Sequence, residues 1–147
     1  MSVRAVRLSA LAHASIRRLA EAAYPHEGCG VLVGNYQGEA VVVEEATSAR
    51  NLWSDRLADR YDMDPADIQA ADRAARARGM DVVGFWHSHP DHPARPSQFD
   101  SDRSWPDCAY LIVNTVDGGS GDLNAFGRED EAAGLQSIAL QLEVALP

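Results

Sequence analysis

The sequence is short of basic residues and shorter still of cysteine. Only 13 basic residues, all of them arginines, stand against 22 aspartates and glutamates, for a formal net charge of −9 at pH 7. A surface of that sign repels phosphate backbones and anionic lipids, so neither nucleic acid nor membrane is an expected partner. The two cysteines, Cys29 and Cys108, belong to no CxxC pair. That excludes a cysteine-rich zinc site, and one possible pair does not make a disulfide framework. Both read as small buried hydrophobes. Long apolar runs are missing too, and no window reaches the length that crosses a bilayer. Near the start, "LSALAHA" is short, broken by His13 and followed by Arg17 and Arg18. It makes a poor signal peptide, so cytoplasmic residence is expected.

What remains is an ordinary globular composition. With 147 residues, 46% hydrophobic and 24% charged, the chain reads as one domain over residues 1–147 with one sizeable core. It carries no internal repeat, no low-complexity tract and no second-domain linker. Nothing in it sets the oligomeric state.

Periodicity predicts mixed elements. "VRAVRLS" (3–9) alternates as a strand, and Ala12, Ile16, Leu19, Ala20 and Ala23 recur at helical spacing over 10–23. "GVLVGNYQGEAVVVEEA" reads as two strands joined by a turn at Gln37-Gly38, and "TSARNLWSDRLADRY" (47–61) as a surface loop. A second helix starts at Asp64 as N-cap with Pro65 behind it, and Gly79 closes it. "DVVGFWHSH" is a strand apolar on both faces at its start, hence central. "AYLIVNT" is another strand, and "VDGGSGDLNAF" turns into a further one. In the last segment Ile138, Leu140, Leu142, Val144 and Leu146 share one side. This order predicts a single α/β sandwich around a mostly buried sheet.

The segment "GFWHSHPDHPARPSQFD" (84–100) concentrates groups able to hold a metal. On a strand His87 and His89 share a face, about 7 Å apart along the chain at ~3.3 Å per residue. Two imidazoles and a carboxylate are a common zinc set. Pro90 ends the strand and places the pair at an edge of the sheet. Asp91, His92, Asp100 and Asp102 are the candidates for a third ligand. Pro90 and Pro93 stiffen the segment that carries Asp91 and His92. Asp100 is better placed, because "PSQFD" resembles a helix start with Ser97 as N-cap and Asp100 three positions on. Such a set leaves the fourth position for water, as in catalytic sites. Hydrolysis then needs a base and an oxyanion donor. Glu27, at the mouth of the apolar strand in "HEGCGVLVG", is the candidate base, and Ser97 the candidate donor.

Glu27, His87-Ser88-His89-Pro90, the ten residues Pro90 to Phe99, then Asp100 with Ser97 three before it, resemble the JAMM motif of the MPN+ zinc metallopeptidases. The resemblance runs from "EGCGVLVG" through "HSHPDHPARPSQFDSD" to "AYLIVN". It implies one zinc ion on His87, His89 and Asp100, Glu27 as general base and Ser97 as oxyanion stabiliser. It also implies a three-layer fold similar to that of cytidine deaminases, an α/β (α+β) arrangement with a central mixed sheet flanked by helices. Family members cleave peptide or isopeptide bonds after the C-terminal glycines of ubiquitin or ubiquitin-like proteins. The short chain looks like the compact prokaryotic branch, some of whose members process ubiquitin-fold sulfur carriers. Cys29, two residues from Glu27, is a thiol near the metal and a candidate for oxidation. Asn51 and "YDMDP" (61–65) border the expected substrate groove, Trp86 and Phe99 read as core aromatics, and His92 as an exposed neighbour.

Two other functions compete. A non-catalytic MPN scaffold typically loses motif residues, and here all five remain. A zinc nucleobase deaminase needs H-x-E with P-C-x-x-C, and neither occurs. A DNA-repair-associated family shares the H-x-H-P…S…D stretch, but the acidic surface and Glu27 count against it.

Overall fold

A computed structural model describes residues 2–53, 61–130 and 132–144. The elements follow in the order β1 (Ala5–Leu8), α1 (Ala10–Ala23), β2 (Cys29–Gln37), β3 (Ala40–Ala49), α2 (Pro65–Ala77), β4 (Asp81–Pro90), α3 (Gln98–Asp102), β5 (Ala109–Val116), β6 (Gly119–Arg128) and β7 (Leu135–Leu142). Each expected strand and helix is present. One expectation needs correction at its edge, because residues 47–49 continue β3 instead of opening a loop. Residues 54–60 of the expected loop lie outside the described residues.

Local chemistry explains the helices. Ser9 caps α1 by accepting the Ala12 N–H at 3.0 Å, and Ala12, Ile16 and Ala20 form its buried stripe. Asp64 caps α2 by accepting the Ala66 N–H at 2.9 Å, and Pro65 fills the first helical position. Gly79 follows in the left-handed region at φ +73°, where glycine sits without strain.

The strands form one mixed sheet in the order β1-β3-β2-β4-β5-β6-β7. β1 pairs in parallel with both β3 and β7, so the sheet closes on itself. β4 lies between β2, antiparallel, and β5, parallel. The expected central position of β4 is therefore correct, and the histidines sit at the C-terminal end of an interior strand, not on an edge strand. One face packs Leu32, Trp86, Leu111 and Val113 against Ile16 and Ala20 of α1. The other packs Val31, Val33, Val82 and Phe85 against Ala75, Ile68 and Ala71 of α2. This is the helix–sheet–helix layering that the sequence order predicted.

Two details of β4 matter for the site. Leu32 opposes Gly84 while Val33 opposes Val82, so Val83 is an extra residue, a β-bulge. Gly30 of β2 faces Trp86, whose indole N–H donates to Thr47 O at 2.8 Å. A Cβ at Gly30 would lie 1.7 Å from that carbonyl oxygen. In β7 the expected apolar side is only half realised: Ile138 and Leu140 pack on the core, but Leu142 and Val144 are exposed. β7 pairs with only four residues of β6, Ala125–Arg128, and ends at Leu142. Leu146 lies outside the described residues. Among the described residues no helix is long and apolar enough to cross a membrane.

Candidate metal centre

Past the bulge, strict alternation resumes and places Phe85, His87 and His89 on the α2 face while Trp86 and Ser88 turn to the α1 face. Both imidazoles are buried. Their Nε2 atoms lie 3.1 Å apart. Asp100, buried in the first turn of α3, brings Oδ1 to 3.3 Å from His87 Nε2 and Oδ2 to 3.1 Å from His89 Nε2. The cap that the sequence suggested aims this carboxylate. Asp100 N–H donates to Ser97 Oγ at 3.1 Å, and Ser97 N–H donates back to Asp100 Oδ2 at 2.8 Å. Tyr61 stacks on His87 with ring centroids 4.5 Å apart, and His92 stacks on His89 at 4.2 Å.

The polarity of this cluster is compatible with a cation. Pro93 O, 2.8 Å from His89 Nδ1, can only accept, so that nitrogen carries the proton. In the neutral ring Nε2 is then a bare lone pair, and it faces a carboxylate oxygen and a second imidazole nitrogen. Burial lowers the His87 pKa, which favours its neutral form, against the opposing pull of Asp100. For Asp100 burial alone would raise the pKa, but the neighbouring imidazoles of His87 and His89, with the Ser97 N–H, hold it well below the usual carboxylate range. Three potential ligand atoms thus converge with separations of 3.1–3.3 Å. Ligand atoms at 2.0–2.1 Å from a tetrahedral ion are about 3.3 Å apart, so the donor set fits a divalent cation of zinc's size and ligand preference.

Glu27 joins the same cluster from the segment before β2. It is buried, and one oxygen of it lies within 4.8 Å of a nitrogen of each imidazole. The imidazole pair is therefore shared by two acids, Asp100 and Glu27. The Gly28 N–H donates to Ser88 Oγ at 2.7 Å and the Ser88 N–H to Gly28 O at 2.9 Å, which fixes the backbone next to Glu27.

The remaining candidates are placed elsewhere. Asp91, at φ +61°, accepts the Tyr24 hydroxyl at 2.9 Å and is engaged at the end of α1. Asp102 is exposed and accepts from Gln98 at 2.7 Å. His92, expected to be exposed, is half-buried against His89. Cys29 is buried opposite His87; burial first, then the Glu27 charge, pushes its thiol up to about 12, so the expected sensitivity to oxidation lacks a thiolate. Trp86 is a core aromatic as expected, but Phe99 is half-buried and packs edge-on to Trp53, centroids 5.7 Å apart. The "YDMDP" segment does border the site. Tyr61 lines a pocket of about 200 Å³ with Met63, Ile68, Phe85, Trp105 and Tyr110. Asn51 Oδ1 ties this segment down by accepting the Asp62 N–H at 2.9 Å. Sequence reading missed the stacking of Tyr61, the Ser88 contact and two asparagines, Asn114 and Asn124. The signal for Asn114 was a lone polar residue in "AYLIVNT"; for Tyr61 there was none.

Comparison with known proteins places the chain in a family. The family model described as prokaryotic homologs of the JAB domain matches residues 9–128. A desampylase from Haloferax volcanii is 40% identical over 110 residues, 74% of this chain and 75% of the relative. The histone deubiquitinase MYSM1 from Xenopus laevis is 38% identical over 77 residues, 52% of this chain but only 9% of that protein. Among solved structures, a protein from Desulfitobacterium hafniense superimposes with a TM-score of 0.80 at 27% identity, covering 96% of this chain and 94% of its own. One from Salinibacter ruber gives 0.67 at 36% identity, covering 88% and 86%. With the motif residues gathered in one place and the family model spanning most of its length, the chain belongs to the prokaryotic JAB-domain family, within the JAMM/MPN+ group.

Proposed function

We propose that the protein is a zinc-dependent isopeptidase that cleaves after the C-terminal glycines of a ubiquitin-like or sulfur-carrier protein. One observation carries this reading. His87, His89 and Asp100 converge their donor atoms within 3.3 Å of one another, with Glu27 beside them. The 40% identity to a desampylase supports the substrate class.

In this reading His87 Nε2, His89 Nε2 and an Asp100 oxygen hold the ion. When bound, zinc supplies Lewis acidity, enough to yield hydroxide from water near neutral pH. Glu27 takes the proton of the attacking water and returns it to the departing amine. Water adds across the C–N bond and leaves a glycine carboxylate and a free amine. Its place beside the imidazole pair suits Glu27 to this task. Ser97 Oγ commits a lone pair to the Asp100 N–H and keeps its own O–H for the oxygen that gains charge. The Tyr61 pocket lies next to His87, where the tail before the scissile bond needs apolar cover.

The test uses the purified protein and ubiquitin-like carriers extended beyond their terminal glycines by a peptide or an isopeptide bond. Mass spectrometry is expected to find cleavage at the last glycine, its loss with a chelator and its return with zinc. Cleavage that persists undiminished after complete removal of metal overturns the reading.

A further inference from the structure

The segment between Pro90 and α3 makes little regular structure, yet three consecutive carbonyls in it are each captured by a side-chain N–H. His92 O accepts from Asn114 Nδ2 at 2.9 Å. Pro93 O pairs with His89 Nδ1 at 2.8 Å. Ala94 O accepts from Asn124 Nδ2 at 2.9 Å. The two asparagines come from neighbouring strands: Asn114 of β5 is the register partner of His89, and Asn124 of β6 is the partner of Ile112. All three acceptors are carbonyls, so the amide orientation is fixed by chemistry: only the NH₂ end of each asparagine can bond.

We propose that Asn114 and Asn124 are positioning residues for His89, a proposal that rests on reading His89 as a metal ligand. Pro93 has no N–H, and its carbonyl also accepts the Arg95 N–H at 2.9 Å within the same segment. Holding the carbonyl before it and the one after it fixes this segment with Pro93 O under His89 Nδ1. That contact keeps the proton on Nδ1, sets the ring angle and bares Nε2 toward Asp100. Partners of this kind behind a metal-bound histidine typically matter about 10- to 100-fold in metal affinity. The stacked His92 ring, 4.2 Å from His89, is carried on the same tethered segment and moves with it. A merely structural role would instead leave the His89 ring unchanged and lower only stability.

The experiment compares Asn114→Ala, Asn124→Ala and the double variant with the parent. Asn124 is exposed, so its variant folds even where Asn114→Ala does not. Zinc affinity is measured by competition with a chromophoric chelator. In the metal-free proteins the His89 ring nitrogens are read by 15N NMR under conditions where the ring is neutral. The parent is expected to show a single tautomer protonated at Nδ1. Asn124→Ala is expected to admit the other tautomer and to weaken zinc binding by about tenfold, and the double variant by up to about 100-fold. A parent that binds zinc beside variants that bind it equally well, with the single tautomer kept, overturns the proposal. A parent that binds no zinc overturns the metal reading instead. The metal-free tautomer ratio then decides on the asparagines alone: mixed tautomers in the variants support their role, and an unchanged single tautomer refutes it.

Discussion

Ser88 and Gly28 hold each other at two points, Gly28 N–H on Ser88 Oγ at 2.7 Å and Ser88 N–H on Gly28 O at 2.9 Å. The middle residue of His-Ser-His thus reaches away from the imidazoles and grips the peptide next to Glu27. Ser88→Ala leaves a buried N–H without its partner, at a cost of about 1–3 kcal/mol. The expected outcome is that loss in urea unfolding, a reduced kcat as Glu27 drifts, and zinc affinity within about twofold of the parent. Unchanged kcat with full stability would remove Ser88 from the site.

Two acids share one imidazole pair, and their variants separate the roles. Asp100→Asn is expected to weaken zinc binding by more than about 100-fold, beyond what an outer partner costs. Glu27→Gln is expected to bind zinc as the parent does while losing about 10²–10⁴ in kcat, the range for a general base. Equilibrium dialysis and single-turnover cleavage measure the two effects. The opposite pattern would make Glu27 the ligand.

Alkaline pH provides a test of the core. Burial pushes the Cys29 thiol from 9.0 up to about 12, and burial, then Asp107, does the same for Cys108. Burial likewise raises the Tyr110 hydroxyl well above 10.0. A folded-state pKa above the unfolded one gives stability that is complete below the unfolded value and is lost as pH climbs toward the folded one. The urea midpoint is therefore expected to hold between about pH 7 and 8.5 and to fall steadily from about pH 9 upward. Alkylation of native protein by iodoacetamide at about pH 8 should be slow at both thiols. A midpoint unchanged to about pH 11 would contradict the burial of these groups.

Gly30 admits no side chain. A Cβ there would sit 1.7 Å from Thr47 O and 2.3 Å from Trp86 Nε1. The carbonyl belongs to the neighbouring strand and cannot give way without breaking the ladder. Gly30→Ala is expected to cost more than about 3 kcal/mol, measured by denaturant unfolding, or to prevent folding. A loss below about 1 kcal/mol would mean that β2 and β3 are further apart at this point.

The local elements were readable because their signals are local. Asp64-Pro65 and Gly79 bracket α2 by capping and backbone freedom, and Ser97 with Asp100 announced a cap that the structure completes. The pairing of His87 with His89 needs only the twofold alternation of a strand. The closing of the sheet by β1 and β7 was not readable, since it joins segments more than 130 residues apart. The same is true of Tyr61 on His87 and of Asn114 and Asn124 on the 92–94 segment, contacts made across strands and a loop. Leu142 and Val144 misled because alternation states which residues share a side and not whether anything covers that side.

The bulge at Val83 decides which way the whole centre looks. Val82 and Phe85, three apart, share a face only because one extra residue is inserted between them. Shortening β4 by that residue would invert the parity of all that follows if the ladder re-formed evenly. His87 and His89 would then turn toward α1, with Ser88 left facing Asp100. The orientation of the centre is thus encoded four positions upstream of its first imidazole, in a valine that bears no functional group.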